Sequence, residues 1–455
     1  MIRKYIAAII FSSVILFGYM TSAQASLQGS GNDPTSPIKH LVVMMQENHS
    51  FDNYFGTYPG ADGFPDGIKM PVDPNDLSLG YVEPWHIGTS TITDLAHSLS
   101  AYRDQNNNGK MDGFISALNK RNQDGRLAMG YYDDRDLPYY WNLADNYVLF
   151  DRFFSSAADG SFANHMYSVA AIHPSNKSGA TLAEFLADKE TIFDRLQDAG
   201  VSWKFYVQNY DPTITYRNLG TSGNRASQVV WVPLLNFDRF LDDPELSSHI
   251  VDLKQYYEDV RNGELPSVAY IIPSGASEHP PQHPEAGQRF VKTLIQELMR
   301  STAWDSSAFL LVYDDWGGWY DHVPPPVVDE YGFGPRIPGL LVSPYAKIGY
   351  VDSTVLDFTS ILKFIEVNWS LSPLAVRDAN ANNFLTAFDF SQTPRKPEFL
   401  PMSRNVEEQT AKSPAMKIYL SYGLALFLSV GAIVFASYRT RHGLSKKVEE
   451  DLHEK

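Results

Sequence analysis

The sequence predicts an α/β fold with a large, mostly parallel central sheet flanked by helices. Three observations carry this. Short, wholly apolar runs bounded by polar residues read as buried strands. Stretches with apolar side chains every three or four positions read as helices. The two kinds alternate along the chain, as they do where helices cross over between parallel strands.

Residues 38–45 form the first strand, between Pro37 and the polar Gln46-Glu47-Asn48. Residues 191–199 form a helix that stops at Gly200, a residue free to take the left-handed cap. Residues 202–207 and 267–272 are the next strands. Residues 286–301 are a helix, with Phe290, Leu294 and Leu298 stacked at i, i+4 and i+8. Residues 308–313 and 339–342 are strands. Residues 359–368 are a helix, with Ile361, Phe364 and Ile365 on one face. No internal repeat or low-complexity block interrupts this order.

The chain has 455 residues, 44% of them apolar and 20% charged. That globular balance excludes disordered, collagen-like and coiled-coil classes. A net charge of −16 argues against nucleic acid as a partner, since sequence-independent binding needs Lys and Arg on the phosphates. Cysteine is absent, which excludes disulfides, thiolate nucleophiles and zinc–thiolate sites.

The two ends read as membrane-targeting segments. Residues 1–25 carry Arg3 and Lys4, then an uncharged apolar stretch, then the small-residue cleavage pattern Ala23-Gln24-Ala25. An uncleaved anchor helix is the alternative. Residues 418–438 carry no charge and are long enough, at about 1.5 Å per residue, to cross a hydrocarbon core of about 30 Å. Arg439, Arg441, Lys446 and Lys447 follow and hold the tail on the cytoplasmic side; a buried core helix is the alternative. The expected organisation is a signal peptide (1–25), an α/β domain outside the membrane (26–390), a polar stalk (391–417), a single transmembrane helix (418–438) and a cytoplasmic tail (439–455). This describes a single-pass cell-membrane protein.

In sheets of this kind ligands bind beyond the carboxyl ends of the strands. Two strand ends carry clustered oxygen ligands: Glu47-Asn48 and Asp314-Asp315. Adjacent carboxylates repel and need a cation or a shared proton. The all-oxygen set suits one divalent ion, with calcium, magnesium or manganese favoured over zinc. The bland alternative is that these acids cap the following helices or turns. Ser161 follows Gly160 at a helix start, where unpaired amides and the positive dipole end suit an attacking oxygen or a phosphate; on local sequence alone it reads rather as a plain N-cap. Residues 104–112 have EF-hand-like spacing, but Ile115 stands where the bidentate acid belongs. A polar turn is expected there, with at most a weak calcium site. Tyr131, Tyr132, Tyr139, Tyr140 and Trp141 cluster in one stretch and read as core before they read as a lipid- or sugar-binding face.

Five blocks then stand in a familiar order. They are Glu47-Asn48-His49-Ser50-Phe51-Asp52-Asn53-Tyr54-Phe55-Gly56; Asp94-Leu95-Ala96-His97-Ser98 with Gly109-Lys110-Met111-Asp112-Gly113-Phe114; Gly160-Ser161-Phe162-Ala163-Asn164-His165; Ser277-Glu278-His279-Pro280-Pro281 with Gly287; and Tyr313-Asp314-Asp315-Trp316-Gly317-Gly318 running on to Pro326. Together they resemble the bacterial and archaeal phosphoesterase family, which contains phospholipases C and acid phosphatases and belongs to the alkaline-phosphatase-like superfamily. The resemblance runs from about residue 38 to residue 390. It implies that superfamily's fold and hydrolysis of phosphate esters, either phospholipase C-type diesters or acid-phosphatase-type monoesters. It implies Ser161 as nucleophile; Glu47, Asn48, Asp314 and Asp315 as ligands of the divalent metal; and His97, His279 and His322 as active-site histidines. Asn164 and His165 fall at substrate-binding positions.

Three positions depart from the family pattern. His165 stands where many members have Arg, Trp316 where a His is common, and Phe358 where a His is frequent. They leave the substrate open and remove no proposed metal ligand. The implied partners are a phosphate-ester substrate, phospholipid among the candidates, and the membrane through the C-terminal helix. A catalytically inactive relative, kept as a cell-surface binding or structural protein, is the alternative. The intact Glu47, Asn48, Ser161, Asp314 and Asp315 favour the enzyme.

Overall fold

Burial on both faces turns the apolar runs into strands. In the computed structural model, which describes residues 33–175, 180–219 and 227–404, β1 is His40–Gln46, β2 Val148–Phe150, β3 Trp203–Val207 and β4 Ile250–Asp252. They are followed by β5 Val268–Ile272, β6 Ser307–Tyr313, β7 Gly339–Val342 and β8 Tyr350–Asp352. These form one eight-stranded sheet in the order β8-β2-β7-β6-β1-β5-β3-β4. β7 runs antiparallel to both neighbours and every other pairing is parallel. The fold is therefore α/β with a mostly parallel central sheet. β2, β4 and β8 are three residues each, too short to show a period in the sequence.

The helices that position the site are α1 Phe51–Phe55, α2 Leu99–Asn106, α3 Ser161–Ala170, α4 Ile192–Asp198, α5 Pro284–Arg300 and α6 Phe358–Asn368. α5 buries Val291, Leu294, Ile295 and Leu298, the stripe its periodicity predicts. Phe290 is only partly buried against the core. Tyr132, Tyr139, Tyr140 and Trp141 are buried in the core.

Residues 391–404, expected to begin the polar stalk, lie against the domain. Trp304 Nε1 donates to the Arg395 carbonyl at 2.9 Å. The Arg395 guanidinium donates to the carbonyls of Asn146 and Ala346 and covers the Tyr147 ring. Arg404 pairs with Asp145 at 2.6 Å. A few anchoring groups in a polar, Pro-bearing stretch do the holding, which composition conceals. The loop after α2 is a polar turn: Asp104, the first EF-hand-like position, pairs with Lys120 and Arg121 at 3.0 and 2.8 Å, and Asp112 accepts from Asn107 Nδ2 at 2.6 Å. The signal-peptide, transmembrane and tail segments, with the rest of the stalk, lie outside the described residues. Among the described residues no helix is long and apolar enough to cross a membrane.

Candidate active site

Strand register builds the site. Gln46 at the end of β1 lies opposite Tyr313 at the end of β6. Glu47-Asn48 and Asp314-Asp315 therefore leave the sheet side by side, and Asp314 N donates to the Gln46 carbonyl at 3.0 Å. On the other side of β1, the chain leaving β5 reaches Ser277, whose carbonyl accepts from Glu47 N at 2.9 Å. Glu278 and His279 follow. Three adjacent parallel strands thus deliver their residues to the same carboxyl edge, where ligands bind in sheets of this class. Asn48 adopts the left-handed conformation, with φ at 63°, which Asn tolerates better than most residues. Gly317, at φ 59°, lies against it: a Cβ there would stand 2.2 Å from the Asn48 carbonyl oxygen, so the turn after Asp315 requires glycine.

Ser161 opens α3 as its first helical residue. Gly160 occupies the N-cap and makes no side-chain cap bond, so Ser161 is not the plain cap its local sequence suggests. Its Oγ turns toward Glu47 Oε2 at 3.5 Å and Asp315 Oδ2 at 3.4 Å, looser than the roughly 2.7–2.8 Å of an O–H···O bond. Ser161 is partly exposed whereas Glu47, Asp314 and Asp315 are buried. The reachable hydroxyl therefore stands over a sunken carboxylate cluster, at the positive end of a helix. Asn164 braces the preceding loop: its Oδ1 accepts from Ala157 N and its Nδ2 donates to the Asp159 carbonyl, both at 2.9 Å.

Burial, and next the neighbouring Asp314, pushes the Glu47 and Asp315 carboxyls well above the usual carboxylate range. Among the described residues no Lys or Arg pairs with these three acids. Only His165 does, with Nε2 3.2 Å from Glu47 Oε1 and 3.8 Å from Asp314 Oδ2. Burial holds the His165 imidazole down at about 4. Burial also pulls His97 down, but Asp315, Asp94, the Leu95 carbonyl and Asp314 together outweigh it and lift His97 to about 9.

The Asn48 side chain tests whether a cation fits. One end of its amide faces Asp314 Oδ1 at 3.0 Å and Glu47 Oε2 at 3.2 Å; the other faces Nε2 of both His97 and His279 at 3.1 Å. Each histidine commits Nδ1 to a backbone carbonyl, Leu95 at 2.6 Å and Pro280 at 2.7 Å. A carbonyl only accepts, so Nδ1 carries a proton in each ring. With its NH₂ turned to the carboxylates, the amide oxygen accepts from Nε2, which agrees with the proton His97 holds up to about 9. Turned the other way, the amide oxygen joins Glu47 and Asp314 as a third oxygen donor. Three buried carboxylates without a Lys or Arg partner among the described residues, with an amide oxygen in reach, are the hard donor set of a divalent ion, so Glu47, Asn48, Asp314 and Asp315 fit one.

His279 is set by its neighbour. Glu278 is buried at φ 64°, and its carboxyl accepts from the Tyr54, Tyr140 and Tyr313 hydroxyls. His322 makes its contacts elsewhere: Nδ1 meets Asp52 Oδ2 at 2.7 Å, and Nε2 meets Asp62 Oδ1 at 3.4 Å. The structure thus gathers Glu47, Asn48, Ser161, Asp314, Asp315, His97 and His279, and shows His322 bonded to a separate cluster. That cluster, Asp52–Asp321–His322, also has metal-like spacing, but Arg336 sits in it, bonded to both acids. Sequence reasoning missed His165 as a member of the carboxylate cluster. The available signal was its position four residues after Ser161, on the same face of a helix.

The chain belongs to the phosphoesterase family, whose model matches residues 38–372. It is 26% identical over 421 residues to the non-hemolytic phospholipase C of Pseudomonas aeruginosa, covering 79% of this chain; it spans only 58% of that protein's length. It is 28% identical to phospholipase C B of Mycobacterium tuberculosis over 427 residues, which are 80% of this chain and 81% of that one. Among solved structures it is similar to a protein in the alkaline phosphatase superfamily from Vibrio parahaemolyticus. There the TM-score is 0.35 at 11% identity, covering 74% of this chain and 68% of the other.

Proposed function

We propose that the protein is a membrane-tethered, extracytoplasmic, metal-dependent phosphoesterase that hydrolyses phosphate esters through Ser161, with the phospholipase C type of diester as its leading substrate class. The relatives named phospholipase C support the substrate class. The tether rests on residues 1–25 and 418–438. The observation that carries the chemistry is the Ser161 hydroxyl, partly exposed and within 3.5 Å of Glu47 and Asp315 in a buried carboxylate cluster.

Glu47, Asn48, Asp314 and Asp315 would hold the cation, which when bound supplies the positive charge that lowers the pKa of a nearby hydroxyl and offsets phosphate charge. Ser161 attacks phosphorus in line with the departing ester oxygen, giving a phosphoseryl intermediate that water then hydrolyses. The amides at the start of α3 face the same anion. His97 and His279 point Nε2 at the site through Asn48, and one of them takes the proton that Ser161 loses on attack and passes it to the leaving alcohol oxygen.

Ser161→Ala tests the reading on p-nitrophenyl phosphate, p-nitrophenylphosphorylcholine and phosphatidylcholine. Turnover should fall by several orders of magnitude, and acid quenching of the wild-type protein should leave phosphate on Ser161, found by peptide mass. A cap serine would cost only about 0.5–2 kcal/mol of stability and leave turnover intact; that result, or a wild-type chain inert on all three substrates, overturns the proposal.

A further inference from the structure

Ser161 and His97 stand at the starts of two helices, and little joins the segments that carry them. Ser161 is the first residue of α3, and His97 stands two residues before Leu99, the first residue of α2. The Gly160 backbone faces the His97 ring with no side chain between them: a Cβ on Gly160 would stand 3.9 Å from His97 Cδ2. Among the described residues, the one hydrogen bond between residues 94–99 and 155–161 is made by Asp159. Its Oδ1 accepts from Leu99 N at 3.3 Å and from Gly160 N at 2.9 Å. Leu99 N is one of the amides that the opening of α2 leaves without a partner inside the helix. Gly160, the N-cap of α3, has no side chain to cap with. One carboxylate oxygen thus serves the starts of both helices, where negative charge is favoured.

The other oxygen is steered. Asp159 Oδ2 lies 3.5 Å from His173 Nε2. Ser175 N donates to His173 Nδ1 at 3.0 Å, so Nδ1 accepts and the ring carries its proton on Nε2, the Asp159 side. The His173 ring lies flat on Tyr331, with centroids 3.9 Å apart and planes 2° apart, and meets Tyr167 of α3 edge-on at 6.2 Å. Burial pulls the Asp159 carboxyl up, but His173 and the Gly160 and Leu99 amides outweigh it and hold the group below its ordinary value.

We propose that Asp159, steered by His173, is a positioning residue that fixes the Ser161 hydroxyl relative to the His97 ring. The inference rests on the roles of Ser161 and His97 in the proposed function. Asp159 acts through backbone: it holds the start of α3 against the start of α2, and so the nucleophile against a group that passes its proton to the leaving oxygen. A displacement of about 1 Å between reacting groups costs on the order of 100-fold in rate. The loss depends on the leaving group. p-Nitrophenolate departs without a proton, whereas the alcohol released from phosphatidylcholine needs one. Loosening the tie therefore harms the second substrate more than the first, and a general loss of folded protein does not.

The test compares two substrates on variants of the full chain, each first shown to fold by its melting curve. Asp159→Ala should lose about 10-fold in kcat on p-nitrophenylphosphorylcholine and about 100-fold on phosphatidylcholine, with KM unchanged. Asp159→Asn keeps an acceptor for both amides but turns an NH₂ toward His173, and should fall between Asp159→Ala and the wild type. His173→Phe keeps a ring on Tyr331 without the Nε2 proton, and should show the same leaving-group bias at smaller size. Hydrogen exchange read by mass spectrometry should speed at Leu99 and Gly160 in Asp159→Ala. Wild-type kcat on both substrates, or equal losses on the two, overturns the proposal, and so does unchanged exchange at both amides. If Asp159→Ala does not fold, the same substrate comparison on the other two variants decides it. A wild-type chain inert on both substrates overturns the proposed function and the positioning role with it, while the exchange still shows whether Asp159 ties the two segments.

Discussion

Gly287 lies so close to Glu278 that a Cβ on residue 287 would stand 1.9 Å from Glu278 Oε1 and 2.2 Å from its Cγ. The Glu278 carboxyl cannot step aside, because three tyrosine hydroxyls hold it. The glycine eight residues after His279 is thus where α5 touches the side chain that sets the His279 turn. Gly287→Ala should destabilise the fold by about 1–3 kcal/mol, the usual cost of overpacking, although alanine is the better helix former. Urea denaturation measures this; unchanged stability would mean the turn yields freely.

Glu278 itself should impose a pH dependence. Burial pushes its carboxyl up to about 7, against the downward pull of the tyrosine hydrogen bonds. An acid whose pKa rises on folding binds more protons folded than unfolded. Its contribution to stability is therefore full below the ordinary value near 4.5 and is lost as pH rises through about 7. Relative to Glu278→Gln, which cannot titrate, the wild type should lose on the order of 3 kcal/mol across that window. Denaturation curves of both proteins from pH 4.5 to 8 measure the difference, and a constant gap would contradict it.

Arg336 is a separate structural demand. It is fully buried, with Nε on Asp321 at 2.9 Å and a terminal nitrogen on Asp52 at 3.0 Å. Asp52 also accepts from the His322 backbone amide at 2.7 Å. Arg336→Met takes the guanidinium from both acids, leaving Asp52 with His322 and Asp321 buried without its cation, so a loss of about 3–5 kcal/mol is expected. A thermal shift of only a degree or two would show that Asp52 and Asp321 share a proton instead.

These relationships mark how far the sequence could be read. The long strands β1, β5 and β6 announce themselves by unbroken apolar runs, and the acids after β1 and β6 stand out because charge at the mouth of such a run needs a reason. The three-residue strands carry no period, and the chain direction of β7 is a tertiary choice that no local pattern records. The family motif groups His322 with the nucleophile, and the structure bonds its ring to Asp52, on α1. The helical turn between Ser161 and His165 sets His165 beside Glu47. Both contacts depend on where a side chain turns, and so on partners distant in sequence.

Asn48 offers the sharpest separation of metal binding from proton handling. Its amide presents oxygen to the carboxylate side and NH₂ to Nε2 of His97 and His279 in the arrangement a cation requires. Asn48→Asp keeps an oxygen for the ion and adds a negative charge, so metal content should be retained. It removes the NH₂ that can meet both histidines and sets a carboxylate against their Nε2 atoms. Turnover should therefore fall by about 10–100-fold, the usual effect of removing a group that orients others at a metal site. Its pH profile should also change, because the rings now face a carboxylate. Measuring bound metal and turnover on the same preparation decides it. If metal and activity vanish together, Asn48 acts on the ion alone, and the histidines owe their orientation only to the Leu95 and Pro280 carbonyls.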